Sequence, residues 1–321
     1  MRAPSAALVG LLLLSCKAST DAASVSPEPE VGGSAGATDL PPPDEDSPDA
    51  AATPDPEAEP SDGETAKRPE AAERCTLAVG KSEHALTVGD ATRSYTTFVG
   101  ESVTQPPAVV FAWHGFGGDP EWAAAILDPG RLWKDAIVVA PRGLGRTFEQ
   151  FGDNPQPGWQ VVKGEHADRD LALFDAVYEE LRVAGCLDES RVYTTGFSNG
   201  GFFSHVLACH RGDVIAAAAP GGGGGPFKPA CTREVPMYIQ HGRRDQTVPY
   251  AMAVGSWGFW TRHNGCTAEA KPPADGCAPA PGCPDEAPIQ LCSFDIGHTI
   301  PDGEADRIAE FLRAHQLPPS E

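Results

Sequence analysis

Arg191-Val192-Tyr193-Thr194-Thr195-Gly196-Phe197-Ser198-Asn199-Gly200-Gly201 is the stretch on which the fold turns. A β-branched and aromatic run leads into a serine that has glycine two places before and two places after it. The residues that follow, Gly200–His210, carry apolar side chains at helical spacing. Strand, sharp turn and helix in that order put the serine hydroxyl on a strained corner, where the glycines let neighbouring backbone come close. A lone Gly-x-Ser-x-Gly is a weak signal and an ordinary glycine-rich turn is the alternative. The flanking strand and helix, with Gly201 available for close helix packing, give the motif the context that a nucleophile needs.

The same alternation extends in both directions. Val109–Trp113, Ile137–Ala140, Val192–Thr195, Val214–Ala219, Met237–Gln240 and Ile289–Phe294 are short apolar runs that predict buried strands, and Arg93–Val99 alternates as an earlier edge strand would. Asp168–Ala184, Gly200–His210, Tyr250–Asn264 and Gly303–His315 predict helices. Strands alternating with helices imply an α/β fold, a mostly parallel central sheet flanked by helices on both faces. Pro272–Pro288 is expected to be a surface insertion, and Gly221–Gly225 a mobile rim, since no Gly-Lys-Ser/Thr follows to make it a phosphate loop.

A serine hydroxyl becomes a nucleophile when a histidine takes its proton and a carboxylate orients that histidine. After an elbow of this kind the acid and then the histidine are expected downstream. Asp245 stands just past the run Met237–Gln240, and His298 just past Ile289–Phe294. Both then occupy loops at the C-terminal edge of the sheet, with Ser198, where open α/β sheets place their sites. His205, His210, His241, His263 and His315 are less well placed, on helices or away from the last strand, and Asp295 and Asp302 lie too near His298 in sequence to reach its far nitrogen. The oxyanion needs two N–H donors. Asn199, following the serine, is one; Phe116 in the glycine loop His114-Gly115-Phe116-Gly117-Gly118 is the second. His114 is expected to hydrogen-bond within that loop.

Charge is unevenly spread. The 321 residues hold 45 acidic and 24 basic side chains, for a net charge of −21. Residues 17–74 carry −11 of this, with ten prolines and no aromatic residue, which describes a disordered acidic tether. Residues 75–321 carry another −11, with Arg2 adding +1, and hold every Phe, Trp and Tyr, so a single catalytic domain is expected there. An acidic surface excludes nucleic acid as a partner, and no obligate protein partner is evident. Residues 1–16 predict an export signal: Arg2, an apolar run Ala6–Leu14, then Ser15-Cys16. Leu13-Leu14-Ser15-Cys16 resembles a bacterial lipobox, which would make Cys16 a lipid-bearing residue and the only tie to a membrane; a plain signal peptide is the alternative. Eight of the nine cysteines then remain: Cys75, Cys186, Cys209, Cys231, Cys266, Cys277, Cys283 and Cys292. In an exported chain they predict up to four disulfides, with 105 pairings open. The last four could instead bind zinc, but the close Cys-x-x-Cys knuckles are missing, so no metal is expected.

Taken in order, His114-Gly115-Phe116-Gly117-Gly118, the Gly196–Gly201 elbow, His241-Gly242…Asp245, Asn264-Gly265-Cys266 and Phe294-Asp295…His298-Thr299 resemble the secreted feruloyl esterases. The polyhydroxybutyrate depolymerase-like esterases share this pattern and the α/β-hydrolase fold. The resemblance spans about residues 90–315 and implies a Ser198, Asp245 and His298 triad without a cofactor. It also implies that Pro141-Arg142-Gly143 and Gly158-Trp159-Gln160 help form the acyl pocket, with Trp159 on its wall. It suggests Cys209–Cys231 and Cys266–Cys292 as disulfides, which leaves Cys75–Cys186 and Cys277–Cys283. The Gly-His-Thr-Ile-Pro run at His298 is nearer the feruloyl-esterase form. The expected function is an extracytoplasmic carboxylesterase acting on small or polymer-borne esters, such as hydroxycinnamoyl esters of plant cell-wall polysaccharide. A polyhydroxyalkanoate depolymerase and a non-catalytic surface-binding lipoprotein are the alternatives.

Overall fold

The computed structural model describes residues 75–103, 105–227, 229–267 and 271–318. The proposed signal, Cys16 and the tether therefore lie outside the described residues. The chain runs β1 (Gly80–Val88), β2 (Ala91–Val99), β3 (Ala108–Trp113), α1 (Pro120–Ala125), α2 (Pro129–Leu132), β4 (Ala136–Pro141), β5 (Leu144–Arg146) and β6 (Gln156–Gly158). It continues with α3 (Arg169–Val183), β7 (Val192–Phe197), α4 (Asn199–His210), β8 (Ala217–Gly221), β9 (Met237–Gly242), α5 (Ala251–His263), β10 (Gly276–Pro279), β11 (Ile289–Phe294) and α6 (Glu304–Arg313).

Nine strands form one sheet in the order β1-β2-β4-β3-β7-β8-β9-β11-β10, and β5 with β6 make a small separate ribbon. The six strands from β4 to β11 are parallel neighbours. β1, β2 and β10 attach antiparallel at the two edges. β3, β4 and β7 are buried along their whole length, because a central parallel strand has helices over both faces. Their side chains divide accordingly. Val109, Phe111, Trp113, Val139 and Ile239 meet Phe174 of α3, Phe203 of α4 and Trp260 of α5 on one face. Val110, Ala112, Val138 and Tyr238 meet Ala123 of α1 and Ile308 and Leu312 of α6 on the other. This is the α/β architecture expected from the alternating runs.

Four expectations are corrected. Arg93–Val99 is not an edge strand, because β1 covers it and takes the edge; the polar, half-exposed alternation of β1 hid it. Val214 and Ile215 close the turn after α4, both donating to Arg211 O, so β8 starts only at Ala217. Inside the supposed insertion 272–288 lies β10, and its register on β11 sets Cys277 opposite Cys292. The bridges are Cys75–Cys186, Cys209–Cys231, Cys266–Cys283 and Cys277–Cys292. The expected pairs Cys266–Cys292 and Cys277–Cys283 are thus exchanged, because β10 occupies Cys292 and leaves Cys266, just past α5, to Cys283. All four candidate zinc ligands are spent in these bridges, and four disulfides suit an oxidising, extracytoplasmic compartment.

Candidate active site

The elbow has the strained geometry its glycines foretold. Ser198 sits between β7 and α4 at φ 58°, ψ −121°, a left-handed φ that costs a non-glycine residue about 1–3 kcal/mol. Such a residue persists when its surroundings over-determine it. Its N–H donates to Gly221 O at 2.9 Å and its carbonyl accepts from Phe202 N at 3.0 Å. Gly200 admits no side chain: a Cβ there would land on the carbonyl of Trp113 at the end of β3.

Asp245 and His298 are brought together from loops 53 positions apart. His298 Nδ1–H donates to Asp245 Oδ2 at 2.6 Å. The carboxylate only accepts, so the hydrogen resides on Nδ1 and the His298 Nε2 lone pair is left to act as a base. The other oxygen, Asp245 Oδ1, accepts from Thr247 N and Val248 N, each at 2.8 Å. Backbone bonds zip the two loops together, Arg243 N to Phe294 O at 2.8 Å and Arg244 N to Ile296 O at 2.9 Å. Gly242 permits this approach, since a Cβ there would strike the carbonyls of Ile296 and Gly297. The Asp245 side chain is sealed while that of His298 keeps 20% exposure, the condition for meeting a substrate. The elbow reaches the same place, with the Phe197 ring 4.8 Å from that of His298.

The loop after β3 borders the serine from the other side; a Cβ on Gly115 would lie 3.5 Å from Ser198 Cβ. A turn folds the loop, with Gly118 N donating to Gly115 O at 3.0 Å and Gly117 N to Pro157 O at 2.8 Å. Phe116 N and Asn199 N donate to no backbone oxygen among the described residues. Asn199 is the first residue of α4, where an N–H has no intrahelical acceptor and the helix dipole favours negative charge. His114 does what was expected of it: Nδ1–H donates to Gly115 O at 2.7 Å and Nε2 accepts from Gly143 N at 2.9 Å. Both nitrogens are thereby used, and burial pushes its pKa down, so it stays neutral as a loop brace.

Trp159 departs from its expected place on a pocket wall. It is fully buried, with its ring against Trp113 and Phe203 and its Nε1–H on His114 O at 2.9 Å. Its backbone N–H donates to Asn199 Oδ1 at 2.7 Å, and its carbonyl accepts from Asn199 Nδ2 at 2.9 Å. It therefore stands behind the elbow and orients Asn199. A buried ion pair braces this loop: Arg93 Nη2 meets Asp170 Oδ1 at 3.0 Å, while Asp170 Oδ2 accepts from Gln160 N at 2.8 Å.

Sequence reasoning missed the aromatic surface nearby. Phe148 and Phe151, on the turn between β5 and β6, lie 5.0 Å and 5.3 Å from the Phe116 ring. Arg146 lies over Phe148 at 3.8 Å, held from behind by Glu165 at 2.7 Å, and Phe151 is 49% exposed. Two phenylalanines spaced around a polar turn carry no periodic signal, so only the fold reveals them. A cavity of about 990 Å³ lies instead at the N-terminal ends of the strands, lined by Tyr178, Asp213, Arg233 and Glu286 among others. Parallel sheets place their chemistry at the opposite edge, and no nucleophile–base pair accompanies this cavity.

Comparison with known proteins bears on this geometry. No family model matches the chain. It is 29% identical over 209 residues to feruloyl esterase D of Neurospora crassa, covering 57% of this chain and 65% of that one. It is 31% identical over 166 residues to feruloyl esterase B of Piromyces equi, covering 44% of this chain and 30% of that one. An acetyl xylan esterase from Aspergillus awamori shares the fold at TM-score 0.55 and 16% identity, over 72% of this chain and 99% of that structure. A Bacillus cereus carboxylesterase does so at TM-score 0.51 and 15% identity, over 69% and 94%. This chain has the α/β-hydrolase fold. It spans just under two thirds of the first of these feruloyl esterases and under a third of the second, so substrate and partners are matters for proposal.

Proposed function

We propose that the chain is a serine carboxylesterase of the feruloyl-esterase type. The observation that carries this reading is the 2.6 Å bond from His298 Nδ1–H to Asp245 Oδ2, beside a serine held on a strained strand-to-helix turn. In this mechanism Ser198 Oγ attacks the ester carbonyl as His298 Nε2 takes its proton, and Asp245 steadies the imidazolium. The tetrahedral oxyanion is met by the N–H groups of Asn199 and Phe116. His298 returns the proton to the departing alcohol and leaves Ser198 acylated. Water then repeats the sequence, releasing the acid. The chemistry calls for no metal or organic cofactor.

The aromatic surface of Phe116, Phe148 and Phe151 supports an ester with a ring near the scissile bond, because a hydroxycinnamoyl group or a sugar can stack there. That is the chemistry of phenolic esters on plant cell-wall polysaccharide. A polyhydroxyalkanoate has no ring to use it. Export through residues 1–16, a lipid anchor at Cys16 and a tether over 17–74 complete the proposal, and the four disulfides support a place outside the cytoplasm.

The test compares a short acyl ester, methyl ferulate and hydroxybutyrate oligomers on the purified protein. Hydrolysis of the first two is expected, with Ser198→Ala losing nearly all activity, on the order of 10⁴-fold or more. Phe151→Ala is expected to raise KM for methyl ferulate more than for the short ester. Activity confined to the oligomers would replace the feruloyl reading by the depolymerase one, and a Ser198→Ala protein as active as wild type would end the serine mechanism.

A further inference from the structure

Two histidines that the triad does not use lie buried behind Asp245. His205 of α4 and His241 of β9 have no solvent exposure, and the partners they have fix their tautomers. Trp260 Nε1–H, from α5, donates to His205 Nδ1 at 3.0 Å. An indole N–H only donates, so His205 Nδ1 holds the lone pair and Nε2 bears the hydrogen. His241 Nε2 lies 2.9 Å from the carbonyl oxygen of Val248. A carbonyl only accepts, so His241 Nε2 bears the hydrogen and Nδ1 holds the lone pair.

One buried donor and one buried acceptor are left over. His205 Nε2 and His241 Nδ1 are both without a hydrogen-bond partner among the described residues. Buried polar groups left unpaired forfeit the hydration they have in the unfolded chain. These two are complementary in sense, and the residues flanking them, Phe203, Val206 and Ile239, belong to one core on one face of the sheet. The rings also interact electrostatically, since His241 adds to burial in holding down the pKa of His205.

We propose that His205 Nε2–H donates through one buried water to His241 Nδ1 and so locks the ring that backs the proposed triad aspartate. A line of donors then runs from Trp260 through His205 and His241 to the Val248 carbonyl. His241 Nε2 is also 3.4 Å from Asp245 Oδ2, the oxygen that His298 holds. In the other neutral tautomer His241 would turn a lone pair on that carboxylate and on Val248 O, repelling both. The lock keeps a hydrogen facing them, and the turn that presents the Thr247 and Val248 N–H groups to Asp245 Oδ1 stays in place. His205 and His241 are positioning residues: they act through Asp245 and touch no substrate. The catalytic part of this role rests on the proposed triad.

Long-range proton–nitrogen spectra of the histidine-labelled full chain near neutral pH test the lock without reference to activity. Both rings are expected as neutral Nε2–H tautomers, with the His205 Nε2 hydrogen slow to exchange. In His205→Leu the His241 signals should shift toward mixed tautomers. Its kcat on a short acyl ester, counted per Ser198 titrated with a fluorophosphonate, should fall about tenfold with KM within about twofold. His205→Gln retains an acceptor for Trp260 and a donor for His241 and should recover most of that loss. Wild-type His241 in the Nδ1–H form would overturn the proposal, as would equal kcat loss in the Leu and Gln variants or no loss in either. A His205→Leu chain that fails to fold leaves the wild-type spectra to decide. A wild type inert on every ester would defeat the esterase reading alone, since the spectra report the tautomers independently.

Discussion

Mild acid should destabilise this domain, and one core side chain, His205, should carry a measurable share of the loss. Burial, with a smaller contribution from His241, pushes the pKa of His205 from 6.5 down to about 3. Protonation would also set a new N–H on Nδ1 against the indole N–H of Trp260, which already points at it. In the unfolded chain the ring titrates near its ordinary value, about 6.5. Because the folded pKa is the lower one, the unfolded chain binds the extra proton. The stability at stake is therefore intact above about pH 6.5 and is lost progressively as pH falls toward about 3. With these two values the loss from His205 alone is about 2 kcal/mol at pH 5 and about 3 kcal/mol at pH 4. Against a typical total of about 5–15 kcal/mol, that is a measurable share. The assay is urea unfolding followed by tryptophan fluorescence at several pH values, on wild type and His205→Gln with disulfides intact. His114 and His241, whose pKa values burial also lowers, are present in both proteins and largely cancel in the difference. From pH 8 to pH 5 the wild type should lose about 2 kcal/mol more than the variant. Equal losses in the two proteins would refute the buried, neutral His205 on which the argument stands.

Two other outcomes are open to direct measurement. Non-reducing peptide mapping should recover Cys277 joined to Cys292 and Cys266 joined to Cys283; a peptide joining Cys266 to Cys292 would refute the register of β10 on β11. In a bacterial host, Cys16→Ala should move the protein from the membrane fraction to the soluble one, and an unchanged distribution would mean plain secretion.

Much of the site was legible because its signals are local. A strand that ends at Phe197 and a helix that begins after Ser198 declare the elbow within a dozen residues. Asp245 and His298 could be chosen because each follows an apolar run, and a residue just past a parallel strand has only one edge of the sheet to occupy. The role of Trp159 was not legible. A tryptophan beside an elbow can face substrate or brace the elbow from behind, and only the packing of Trp113 and Phe203 on its ring separates the two. The aromatic surface escaped for a similar reason, since Phe116 and Phe151 are 35 positions apart and meet only when the β5–β6 ribbon folds over the loop after β3.

By itself, then, the sequence determined the layered α/β architecture, the placing of the proposed nucleophile, acid and histidine after successive strands, and the glycines their approach requires. These follow from periodicity and from steric limits that act over a few residues. The tertiary structure decided how the cysteines pair, which strand lies at the edge, and which ring nitrogens carry hydrogen. Each of those depends on a partner far along the chain: Cys277 faces Cys292 through strand register, and His205 meets Trp260 because α4 and α5 pack on the same face of the sheet.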